Sequence, residues 1–163
     1  MEDRWFAVID TVGGSSGDHV YTFRLSGYAG HGVGGTFELR VDGARWERAN
    51  AGVDVYVGSP SSSLTVAEPP FVENEVPHVH QLALDREVNS HGVMDAVVEG
   101  ELPQFITVLA PYKVGVTDGD EAPLTVTRTA DGWQVGDHVI ERDGSDIALS
   151  KGGAEQLRVR TGD

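Results

Sequence analysis

The chain reads as an all-β protein: an antiparallel β-sandwich with a small terminal β-meander. Three observations predict this. The stretches RWFAVIDT, HVYTFRLSG, GTFELRVD, VDVYVG, SLTVAE, QFITVLAPY, LTVTRT and QLRVR are short and rich in Val, Thr, Phe and Tyr. Gly or Pro, often beside Asp or Ser, stands in or next to most of the breaks between them, as strands require. No amphipathic helix interrupts the series. With 163 residues the chain is long enough for one domain with a substantial core. We read residues 1–163 as that single domain, with 1–115 the main sandwich and 116–163 terminal hairpins.

The elements follow in order. Arg4 to Thr11 is an apolar strand, and its abrupt start predicts that preceding sequence completes the sheet beside it. Gly13–Gly17 turns the chain into His19–Ser26. There Val20, Thr22 and Arg24 take one face and Tyr21, Phe23 and Leu25 the other, so one face is core. Gly27–Gly35 has five glycines in nine residues and reads as a loose loop. Thr36–Val41 and Ala44–Arg48 flank Asp42-Gly43, a hairpin signal, and Val53–Val57 follows. Ser59–Ser63 is a polar loop, and the three prolines of Glu68–Pro77 exclude a central strand there. His78–Leu84 reads as a strand and Asp85–His91 as a connector. Gly92–Val98 and Gln104–Ala110 are two more strands. The remaining segments shorten and become polar, which predicts small hairpins laid over one end of the sandwich, turning at Asp131-Gly132 and Asp143-Gly144.

Twenty-six acids against twelve bases give a formal charge of −14. That field repels phosphate backbones and anionic lipid, so it argues against nucleic-acid and membrane partners. No apolar run approaches the ~20 residues of a spanning helix, so no membrane insertion is expected. The acids are scattered through the turns, the pattern of a solubilising surface. The chain has no cysteine, which excludes disulfides and thiolate metal sites. MEDRWFAVID has neither a basic n-region nor an apolar h-region, so no signal peptide is expected in this chain and the compartment stays open.

Three stretches in order, RWFAVIDTVGGSSGDHVYTFRLSG, the glycine loop running into GGTFELR, and QFITVLAPYKVG, are similar to the C-terminal half of heparinase II/III-type polysaccharide lyases. The resemblance covers roughly residues 4 to 115. In that family a catalytic α/α toroid precedes the β-sandwich and carries the reactive Tyr and His. The parent enzymes, often periplasmic or secreted, cleave uronic-acid-containing glycans by β-elimination. This chain holds no toroid segment. It also lacks the His-x-His-x-Asp-like segment upstream of the first strand, and Ser26 stands where many relatives have His before Gly27. The resemblance therefore implies an accessory, non-catalytic sandwich, inactive alone, whose partner is a catalytic toroid domain or lyase subunit and whose assembly meets a polysaccharide.

Other residues offer alternative chemistry, namely a stand-alone metal-binding (cupin-like) or carbohydrate-binding β-domain. His78 and His80 lie i,i+2, which puts two imidazoles ~7 Å apart on one strand face, and Asp85, Glu73 or Glu75 would close a divalent metal site, zinc being the metal such ligands suit. The spacing to Asp85 is similar to the cupin metal motif, which has Glu there; the competing reading is a solvent-facing pair, and no other cofactor is implied. Tyr28 and His31 sit in the glycine loop, where a backbone can approach a sugar and Tyr can stack on it. Trp133, after Asp-Gly, is the best of the three tryptophans for an exposed stacking platform, although core packing is the reading favoured even there; Trp5 and Trp46 read as core or interface anchors. Arg24, with Arg40, Arg45 and Arg48, is the dense basic group an acidic sugar would meet. No Gly-x-Ser-x-Gly stands behind Ser61–Ser63 as nucleophile. His19, His91 and His138 read as strand-end or turn residues.

Overall fold

The computed structural model describes residues 4–12, 19–28, 35–59, 64–68, 91–100 and 104–160. In chain order the strands are β1 (Phe6–Thr11), β2 (His19–Tyr28), β3 (Thr36–Arg40), β4 (Gly43–Arg48), β5 (Ala51–Gly58), β6 (Thr65–Ala67) and β7 (His91–Gly100). They continue with β8 (Gln104–Lys113), β9 (Val126–Arg128), β10 (Gly132–Val135), β11 (His138–Asp143), β12 (Asp146–Lys151) and β13 (Ala154–Val159). No helix occurs among the described residues.

The strands form three antiparallel sheets. A central sheet runs β1-β8-β5-β4-β3, a narrower one β2-β7-β6, and the meander β13-β12-β11-β10-β9. Strand alternation decides which face each side chain takes. Ala44, Trp46, Val55 and Phe105 of the central sheet point to the narrow sheet and pack with Met94, Ala96 and Val98 of β7. Tyr21, Phe23 and Leu25 of β2 join this cluster, with Phe23 stacked on Phe105 at 5.7 Å, while Val20, Thr22 and Arg24 face out as their alternation predicts. The Trp46 indole N–H donates to the Gly92 carbonyl at 3.1 Å, joining the two layers.

Ile106 and Val108, the intervening residues of β8, point to the opposite face and pack with Trp133, Val135, Ile140 and Ile147. The terminal hairpins therefore make a third layer on that face of the central sheet, where the sequence pattern suggested a covering over one end of two layers. Trp133 decides the position. It is fully buried, and its indole N–H donates to the Ile106 carbonyl at 3.0 Å.

The hairpins expected at Asp42-Gly43 and Asp131-Gly132 form, but in both the glycine opens the following strand. A Cβ on Gly43 would strike the Val55 carbonyl oxygen, and one on Gly132 that of Ile140. Close backbone approach, not turn geometry, calls for glycine there. The strand expected at His78–Leu84 lies outside the described residues.

Thr107 is fully buried on the narrow-sheet face of β8, and its hydroxyl has no partner among the described residues. Desolvating an unpaired hydroxyl costs about 1–3 kcal/mol. Thr107→Val, which keeps the side-chain volume, should leave stability unchanged or raise it by about 1 kcal/mol in urea unfolding. A loss of stability would mean that the hydroxyl has a partner.

Candidate functional site

The hairpin of β4 and β5 organises the most elaborate side-chain chemistry of the described residues. Its two-residue turn, Ala49 and Asn50, sets a register in which Arg45 faces Asp54, Trp46 faces Val53 and Glu47 faces Gly52. Alternation then sends Trp46 and Val53 to the narrow-sheet side and Arg45, Glu47 and Asp54 to the other. One hairpin thus builds an apolar cleft on one face and a polar network on the other.

The network centres on Asp54, whose side chain is only 3% exposed. Arg45 donates to both its carboxylate oxygens at 2.6 Å, and Arg40 donates to Oδ1 at 3.0 Å. Arg40 also reaches Glu38 at 3.3 Å. Beside them the Tyr112 hydroxyl donates to Glu47 Oε1 at 2.6 Å. Tyr112 reaches across β5 because Gly52 lies between; a Cβ on Gly52 would strike the phenol ring. The Arg45 guanidinium sits 4.8 Å from the Tyr112 ring centroid, a cation–π contact.

These contacts set the proton affinities. The hydrogen bonds to Asp54 raise the Arg45 pKa above its already high ordinary value. Burial, then the hydrogen bond to Glu47, pushes the Tyr112 phenol well above the ordinary tyrosine range, and burial raises Tyr56 as well. A phenol held in this way stays protonated at neutral pH and does not serve as a base. The network cross-links four strands of one sheet.

The cleft lies where the narrow sheet leaves the central one uncovered. It has a volume of about 410 Å³ and is floored by Leu25, Val53, Val55 and Leu109, with Trp46 at its side and Glu47 and Arg48 at its rim. The lining is mainly aliphatic. Trp46 is 8% exposed and presents little ring face. The cleft suits a compact apolar group better than a sugar ring, which stacks on an open aromatic face.

The residues singled out in the sequence do not converge. Trp133 is core, which corrects its candidacy as an exposed platform: the meander folds its ring inward against Ile106 and Val108. Arg24 lies on the outer face of the narrow sheet, opposite Asp95, and grips that carboxylate through two bonds of 2.6 Å. The arginine group is thereby divided, with Arg40 and Arg45 held on another sheet by Asp54. Tyr28 closes β2, and only its backbone is described. His31, His78, His80 and Asp85 lie outside the described residues. Among the described residues no three of His, Asp and Glu gather as a metal site, and no helix is long and apolar enough to cross a membrane.

Asp54, Glu47 and Tyr112 were not singled out from the sequence, and Arg45 only as one of a basic group. Their signal was present: an acid inside the apolar run VDVYV and an arginine inside GARWER, brought opposite each other by the Ala49-Asn50 turn. No protein family, curated protein or solved structure matches the chain. The likeness to heparinase II/III-type lyases accordingly rests on the three sequence stretches alone.

Removing one partner of a buried ion pair costs about 3–5 kcal/mol. Arg40 and Arg45 keep 27% and 26% of their side chains in water, which lowers that figure. Asp54→Asn should therefore destabilise by roughly 2–3 kcal/mol in denaturant unfolding, whereas a surface pair contributes about 0–1 kcal/mol. The raised phenols predict alkaline sensitivity. An unfolded tyrosine ionises near pH 10, while folded Tyr112 keeps its proton longer, so its contribution is complete below about pH 10 and is lost as pH rises further. Tyr112→Phe should flatten the decline of the unfolding midpoint above about pH 10.

Proposed function

We propose that the chain is a non-catalytic β-sandwich domain supporting a catalytic partner, the role of the C-terminal sandwich in heparinase II/III-like polysaccharide lyases. The observation that carries the reading is the mutual commitment of its reactive groups. β-Elimination beside a uronate needs a base for the C5 proton, an acid for the leaving oxygen and a group that neutralises the carboxylate. Among the described residues, Tyr112 and the arginines Arg24, Arg40 and Arg45 are engaged with Glu47, Asp54 and Asp95. The aliphatic cleft fits the same reading, because it offers apolar surface to a neighbouring protein group and few hydrogen bonds to a glycan. A charge of −14 further disfavours unaided capture of a polyanionic sugar.

Incubated alone with alginate or heparan-type glycans, the purified chain should generate no unsaturated-uronate absorbance. A helical toroid encoded directly upstream should cleave such glycans when expressed together with this chain, and more slowly without it. Activity of the isolated chain would overturn the reading, as would a neighbouring frame that encodes no toroid.

A further inference from the structure

β1 is the edge of the central sheet. It pairs with β8 on one side and, among the described residues, with no strand on the other. Natural edge strands are usually blunted by lysine, proline, a bulge or an inward-pointing charge. β1 has an unbroken register with β8 and contains neither lysine nor proline. Its Phe6 is 65% exposed and its Val8 41% exposed. Both stand on the face of the central sheet that carries Leu109 and Thr107, their register partners.

Charge narrows the choice of occupant. Residues 4–12, which Glu2 and Asp3 precede, hold one base, Arg4, and one acid, Asp10, so this stretch is itself neutral in a chain of net charge −14. Two copies approaching through most other surfaces meet like charge; here they do not. The order of residues is also self-complementary. Antiparallel pairing about a two-fold axis at Ala7 sets Phe6 opposite Val8 of the second copy, Trp5 opposite Ile9, and Arg4 opposite Asp10, each pair occurring twice. Opposed residues share a face, so Phe6 and Val8 cover each other on one side of the joined sheet. On the other side Trp5 and Ile9 meet, both already packed on the meander core, with Trp5 edge-on to His138 at 5.5 Å. A small residue occupies the axis. This is the residue-for-residue match that an isologous interface requires.

The geometry points to a homodimer in which β1 of two copies joins their central sheets into one ten-stranded sheet. This goes beyond the supporting role proposed above and does not depend on it.

The chain lacks cysteine, so a single introduced thiol reports the register cleanly. Directly opposed residues of antiparallel strands have Cα atoms about 4.5–5.5 Å apart, within disulfide reach. Ala7→Cys should cross-link to a dimer under mild oxidation, while Val41→Cys, at a position 96% exposed in a turn, should not. Sedimentation equilibrium should find dimer for the unaltered chain, tightening as salt rises from about 0.01 to 0.15 M because the repulsion between two acidic bodies is screened. Arg4→Asp or Asp10→Arg alone should weaken association at least about tenfold by opposing like charges, and the two together should restore it. A monomer at all concentrations would overturn the proposal. So would equal cross-linking of the two cysteine variants, or a double variant as weak as the single ones.

Discussion

Strand β8 must satisfy two cores at once, and the rest of the molecule is arranged around that requirement. Phe105 and Leu109 pack toward the narrow sheet, and Ile106 and Val108 toward the meander. A strand wet on one face alternates apolar and polar residues; FITVLA does not alternate. Leaving either set in water would forgo about 1.5–3 kcal/mol for each large apolar side chain, so two layers have to cover it. The narrow sheet covers one side through Phe23 and β7. The meander covers the other, and the Trp133 indole bonded to the Ile106 carbonyl joins that layer to β8 itself.

Where the meander does not reach, the same face of the central sheet is polar. Arg45, Asp54, Glu47 and Tyr112 occupy positions that alternation assigns to that face, and they answer each other's charge and hydrogen bonds across three strands. A carboxylate as buried as Asp54 is tolerated because two guanidiniums reach it. The arrangement stabilises because it is complete. Completeness also makes it chemically quiet, since a group with its proton held and its charge matched has little left for a substrate.

The fold was legible in the sequence to the extent that it is local. Alternation in His19–Ser26 put Tyr21, Phe23 and Leu25 on one face and Val20, Thr22 and Arg24 on the other, and the structure makes the first face core and the second surface. The hairpins after Thr36 and the terminal meander were readable for the same reason: turn chemistry and period two are properties of neighbouring residues. The third layer was not, although the unbroken apolar run of β8 is the mark of a strand buried on both faces. Trp133 shows the difficulty. Asp-Gly beside it signals a turn, but only the packing of β10 against Ile106 and Val108 shows that its ring points inward. The Asp54 network was hidden differently: each member is ordinary alone, and only the register of β4, β5 and β8 brings them together.

The mismatch between the sheets connects the remaining features. Among the described residues, three strands of the narrow sheet face five of the central one, and β7 meets β3 and β4 while β2 reaches β8 through Phe23. Apolar surface is left open in two places, the cleft over the β4–β5 hairpin floored by Val53 and Leu109, and the β1 edge with the exposed Phe6 and Val8. In a chain this acidic, repulsion between copies keeps most surfaces apart. The neutral, apolar edge is where that protection is missing, and the register that buries Phe6 and Val8 also sets Arg4 opposite Asp10. Hydrophobic cover and charge matching select the same alignment. An accidental sticky edge would satisfy the first condition in several registers; meeting both in one register distinguishes an interface from a liability.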